Sequence, residues 1–274
     1  MDCLSPAEIT AKAEEVGYKK ATGKFWGTAV SGILAGMYIA FGAVFSITSI
    51  SWLAGTVPFG LMKVVAGLAF SLGLILVMVA GAELFTWNAL LIIALIKRRI
   101  TLRQSIKNLI LIWLFNFIGA LIVVALVYVG GRYLMGNGII GQTALGLGVH
   151  KLEYGFMQAF SLGILCNILV CLGVWLAWSG RSTADKVLGI IFPITAFVAG
   201  GFEHSVANMF YLPFAYVLKH AGVVSDKLDL SGITLKHIFI NNLLPVTLGN
   251  IVGWAIFVGM AYWWLYGKNA KVQW

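Results

Sequence analysis

Charge is what this sequence has least of. Only 11% of its residues are Asp, Glu, Lys or Arg, while 60% are hydrophobic; a soluble domain carries roughly a quarter charged residues. Mean hydropathy is +0.93. The deficit excludes an ordinary water-soluble domain. Cysteine is scarce too: Cys3 near the N-terminus, and Cys166 and Cys171 on one apolar stretch. No pair has zinc-site spacing, so no disulfide framework and no metal site is expected, and the three read as free thiols behaving as small hydrophobes. Serine has no Gly-x-Ser-x-Gly elbow around Ser205, and adjacent His204 and Ser205 are poorly disposed as base and nucleophile, which excludes a hydrolase. Of four histidines, only His204 falls deep within an apolar run. Haem ligation by opposed histidines is therefore excluded, and no cofactor is expected. Residues 1–24 are charged rather than apolar, which predicts no cleavable signal peptide.

What is present is long apolar runs, at 274 residues enough for six passes: about Phe25–Ile50, Phe59–Ile96, Ile106–Leu134, Gly155–Trp178, Val187–Leu218 and Ile238–Tyr266. Roughly 20 residues span a bilayer, so the second and fifth runs are too long for simple spans. Each is interrupted by a Gly-rich patch carrying a glutamate: Gly81-Ala82-Glu83-Leu84-Phe85-Thr86, and Gly200-Gly201-Phe202-Glu203-His204-Ser205. Ionisable side chains and irregular backbone at that depth are tolerated where they line protein or a water-filled cavity. A matched pair of broken helices points to a transport site.

Basic residues set the expected orientation. One side holds Lys12, Lys19, Lys20, Lys24, Lys97, Arg98, Arg99, Arg103, Lys107, Arg181, Lys186, Lys268 and Lys271; the other holds Lys63, Arg132, Lys151, Lys219, Lys227 and Lys236. The positive-inside rule then puts both termini in the cytoplasm of an inner (plasma) membrane. The net charge of +9 is accounted for by topology and anionic lipid, and nucleic-acid binding is not expected. Ser5-Pro6-Ala7-Glu8 predicts a capped helix start. Residues 1–24 would form an amphipathic helix on the inner face, as an anchor or as a gate, followed by a six-span domain at 25–266 and a tail at 267–274.

Three short matches run in the same order through both halves: Gly32-Ile33-Leu34 with Gly163-Ile164-Leu165, Gly81-Ala82-Glu83 with Gly201-Phe202-Glu203, and Asn116-Phe117-Ile118-Gly119 with Asn250-Ile251-Val252-Gly253. One three-span unit, about 25–134, would be repeated at about 155–266; an odd number of spans inverts the second copy. Both breaks would then meet near mid-membrane. There His204 could share a proton with an anion, and Thr86 with half-helix N-termini could bind one. Glu83 and Glu203 would repel an anion, so they read as acceptors for loop backbone or partners of a lysine such as Lys151. A cation or proton symporter using these two glutamates is the alternative. Phe70, Leu74, Leu84 and Phe197 flank the polar groups and could gate by dewetting.

At 81–86 and at Gly-Phe-Glu-His-Ser-Val-Ala-Asn-Met (201–209) the chain resembles the formate/nitrite transporter family. The likeness extends through residues 70–76, 167–172 and 242–250. It implies an aquaporin-like protomer in a homopentamer, with one path per protomer for a small monovalent anion: formate first, nitrite or hydrosulfide as alternatives. It further implies Phe70, Leu74 and Leu84 at a cytoplasmic constriction and Phe197 at a periplasmic one. Thr86 and His204 would be the polar pair between them, Asn167 would bond near the path, and Lys151, Glu83 and Glu203 would be supporting charges. The N-terminal segment would be a pH-sensitive gate. Trp87 stands where the resemblance leads one to expect a smaller residue. The paired Asn-Pro-Ala signature of water channels is missing, which excludes water and glycerol as cargo.

Overall fold

The computed structural model describes residues 3–88, 90–223, 225 and 228–268. Lys227 and the expected tail past Lys268, with Lys271, lie outside them. All regular structure among the described residues is helical. Helix α1 (Pro6–Ala21) opens as its sequence predicts. Ser5 accepts from the Glu8 backbone, Glu8 returns the bond to the Ser5 backbone, and Pro6 occupies the first turn. Helix α1 rests on α4 (Leu90–Ile96) and buries Ile9, Ala13 and Gly17.

Among the described residues, five helices are long and apolar enough to cross a membrane: Phe25–Ile50 (α2), Phe59–Gly81 (α3 with its terminal wide turn), Leu102–Val129 (α5), Phe156–Ser179 (α7) and His237–Gly267 (α10). Between α5 and α7 lies a shorter helix, α6 (Ile139–Leu152), which had no counterpart among the expected spans. Their outward faces carry large apolar side chains such as Trp26, Val129 and Phe257. This is the pattern of a multi-pass membrane protein, whose outer surface meets hydrocarbon rather than water.

Both interrupted runs do break. The α-helical part of α3 ends at Leu76, a wide turn covers Val77–Gly81, and extended residues lead into a short turn at Phe85–Trp87 before α4. The second run divides into α8 (Thr183–Ala199) and α9 (Ser205–His220). Each first half is closed by the same reverse bond, Ala82 N–H to Val77 O and Phe202 N–H to Phe197 O, both 3.0 Å. The closing residues Gly81 and Gly201 have φ of +83° and +70°, the left-handed region that ends helices and that only glycine enters without a Cβ penalty. The halves pack around the breaks, α2 against α3 and α5, and α7 against α8 and α10.

Candidate functional site

Irregular backbone away from water must find partners, and here two asparagines supply them. Asn116, on α5, accepts from the Phe85 N–H at 2.8 Å and donates to Gly32 O and Glu83 O at 2.8 and 3.0 Å. Asn250, on α10, accepts from the Ser205 N–H at 2.9 Å and donates to Gly163 O and Glu203 O at 2.8 and 2.9 Å. Both are fully buried. The glutamate N–H groups go to neighbouring helices, Glu83 to Ser31 O and Glu203 to Leu162 O, each 3.2 Å. These residues marked the repeat in the sequence; in the structure they pin the two breaks.

The glutamate carboxylates are not bound by loop backbone, as the sequence suggested. Their donors are side-chain amides: Asn88 and Asn108 to Glu83 Oε1 at 3.1 and 3.2 Å, and Asn208 and Asn242 to Glu203 Oε2 at 2.7 and 3.2 Å. Lys151, at the end of α6, pairs with Glu203 Oε1 at 2.6 Å, which is the expected partnership. Near Glu83 the corresponding cation is Lys20, at the end of α1, donating to Asn88 Oδ1 at 2.5 Å. Sequence reasoning missed Lys20 and the four asparagines. Nothing in an apolar run tells a bridging amide from a packing one.

Thr86 and His204 come together from separate breaks, Oγ1 to Nε2 at 2.9 Å, both buried. His204 is also the cap of α9: its Nδ1 accepts from the Ala207 N–H at 3.0 Å. A ring nitrogen that accepts carries no proton, so the neutral ring's hydrogen sits on Nε2 and points at Thr86 Oγ1. The Thr86 hydroxyl hydrogen is thereby left to donate to a third group. Adding a second proton at Nδ1 would break the cap and set positive charge at the positive end of a helix.

The other expected residues fall as follows. Phe70 and Phe197 meet edge to face at 5.6 Å, and Phe197 stacks on His204 at 5.8 Å. Both phenylalanines line one cavity of about 300 Å³, with Lys63, Lys151, Glu203 and His204. Phe70 and Phe197 thus stack edge to face across α3 and α8 and both line the cavity on the α6 side. Leu74 and Leu84 are buried and line neither this cavity nor a second, of about 280 Å³, bordered by Lys19, Lys20, Lys24, Ser31 and Glu83 on the α1 side. Asn167 is buried on α7 and donates to Asn250 O at 2.8 Å, while its Oδ1 has no partner among the described residues.

Comparison with known proteins gives a consistent picture. The profile of the family described as formate/nitrite transporter matches residues 7–264. The formate channel FocA of Escherichia coli (strain K12) is 42% identical over 272 residues, covering 97% of this chain and 95% of that one. A probable formate transporter of Methanothermobacter thermautotrophicus is 37% identical over 280 residues, 97% and 98% of the two chains. Among solved structures, a pentameric formate channel with formate bound superposes with a TM-score of 0.83 at 39% identity, covering 91% of this chain and 99% of that one.

Proposed function

This chain belongs to the formate/nitrite transporter family, and from that premise we propose that it is a homopentameric formate channel in which each protomer carries its own path. The observation that carries the reading is the Thr86–His204 pair, two buried polar groups from separate breaks, with His204 lining a cavity beside Lys151 and Glu203 and a second cavity lined by Lys20 and Glu83. The protomer has six spans in an inverted three-span repeat, and the duplicated asparagine bonds support that reading. Both termini face the cytoplasm of the cell membrane, so the α1 cavity is the inner vestibule and the α6 cavity the outer one.

A formate ion is drawn in by lysine. It then passes Phe70 and Phe197 on one side and Leu74 and Leu84 on the other, where a bare charge is costly. At the centre the Thr86 hydroxyl donates to it, oriented by His204 Nε2–H, and Asn167 offers a further amide near the path. A proton that enters with formate from the vestibule water lowers the cost of the apolar rings, since the neutral acid, held at the Thr86 hydroxyl, crosses them more cheaply than the anion. Helix α1, lying against the inner mouth, is the gate. Nitrite and hydrosulfide fit the same pore plan. Cation symport is disfavoured most clearly at Glu203, where Lys151 takes one carboxylate oxygen and two amides take the other, while two amides take Glu83 Oε1.

Reconstituted protein would be tested for flux of formate, nitrite, hydrosulfide and chloride from pH 5 to 8, alongside His204→Phe. Selective weak-acid flux with a pH response altered in the variant is expected. An unchanged pH response would remove His204 from the mechanism, and absence of anion flux in a folded wild type would reopen cation symport.

A further inference from the structure

The two breaks differ in how each lysine meets its glutamate. At the second, Lys151 Nζ touches Glu203 Oε1 directly at 2.6 Å, and the buried Oδ1 of Asn208 has no partner among the described residues. At the first, the Lys20 ammonium instead donates to Asn88 Oδ1 at 2.5 Å, and Asn88 Nδ2 passes the connection to Glu83 Oε1 at 3.1 Å. An amide therefore separates the charges, and among the described residues Lys20 makes no ion pair. The residue preceding each asparagine is the difference: Ala207 at one break, Trp87 at the other. Lys20 Nζ lies 3.8 Å from the centre of the Trp87 indole. That ring is buried against Trp178 with centroids 5.9 Å apart, and its Nε1 has no hydrogen-bond partner among the described residues, so packing and the cation over its face are what engage it there.

An indole face attracts a cation through its quadrupole and brings no net charge of its own. A carboxylate in direct contact cancels most of the ammonium's field at a distance; an aromatic seat does not. We propose that Trp87 is a positioning residue that holds Lys20 off Glu83, so that the carboxylate offsets its charge only in part and the α1 mouth attracts small weak-acid anions more strongly than it would with the pair closed. The inference rests on the channel reading above. Without Trp87, Lys20 would close onto Glu83 as Lys151 closes onto Glu203, and the α1 mouth would lose that part of its attraction.

The test compares initial uptake of radiolabelled formate into right-side-out and inverted membrane vesicles, the latter presenting α1 outward. In inverted vesicles Trp87→Ala is expected to slow uptake roughly three- to tenfold at subsaturating formate, the scale of a partly desolvated cation–π contact. The saturating rate, and uptake in right-side-out vesicles, should stay unchanged. Tryptophans of increasing fluorination at position 87 keep the ring's size while depleting its face, and should give a graded loss, with Trp87→Phe in between. Indifference to fluorination, or equal losses in both vesicle types, would overturn the inference while leaving the channel reading intact. No formate uptake by the wild type would overturn the channel reading, and the inference with it.

Discussion

Asn116 and Asn250 do work that no apolar residue could replace. Each satisfies one N–H and one C=O of a break, and each donates as well to a neighbouring helix. Truncating either leaves buried backbone groups unpaired, at a cost of about 1–3 kcal/mol per group. Asn116→Ala is therefore expected to lower the denaturation midpoint in detergent and to abolish formate flux, because the loop that presents Thr86 loses its fixing point. Asn116→Asp separates the two roles. Its oxygen can still accept from Phe85, but it can no longer donate to Glu83 O, so its midpoint should fall as far or further, since a carboxylate would face a carbonyl. A variant as stable as wild type would mean that the break is held by packing alone.

At the scale of elements, α1 offers a definite pH dependence. Glu8 is held below the ordinary carboxylate range by hydrogen bonds from Ser5, and Glu15 by its hydrogen bond with Arg99. A carboxylate with a lowered folded value adds stability above its unfolded value and loses it as pH falls through the lower, folded one. Unfolded glutamate titrates at about 4.3, so these contacts persist until the medium is more acidic than that. Burial lowers Lys20 to about 8, opposed by Glu83, so its charge is present below that pH and lost above it. Protection factors of α1 amides in hydrogen exchange should then be level between pH 5 and 7 and fall only below about 4. Loss of protection near pH 6 would show that a different group releases the gate.

The same elements show what could be read in the sequence. The capping box of α1 and both breaks were legible because special residues mark them: Ser5, Pro6 and Glu8 at one, Gly81 and Gly201 at the others. Helix α6 was not. It starts after Gly138 with no side-chain cap, and Gly141, Gly146 and Gly148 dilute any helical pattern. With α6 unseen, α1 had no visible counterpart, and so Lys20 was not set beside Lys151. The pairing of Phe70 with Phe197 was equally hidden, since spacing along a helix does not say which ring it meets on another.

For the whole molecule, every side chain of the candidate path comes from one chain. The Thr86–His204 pair, both phenylalanines and both lysine–glutamate ends are complete within the protomer. In the proposed pentamer, assembly would supply stability and need not supply chemistry. The consequence is additive conduction. Wild-type chains co-reconstituted with Thr86→Val chains, which keep the shape of the side chain but have no hydroxyl to donate, should form mixed pentamers whose formate flux falls in direct proportion to the wild-type fraction. Were the path formed between protomers, or were the gates concerted, one defective chain would silence its neighbours, and flux would fall far more steeply than the fraction mixed. Thr86→Ser, which keeps the hydroxyl, should dilute without loss. A straight line for the valine series therefore places the whole of the path inside a single fold.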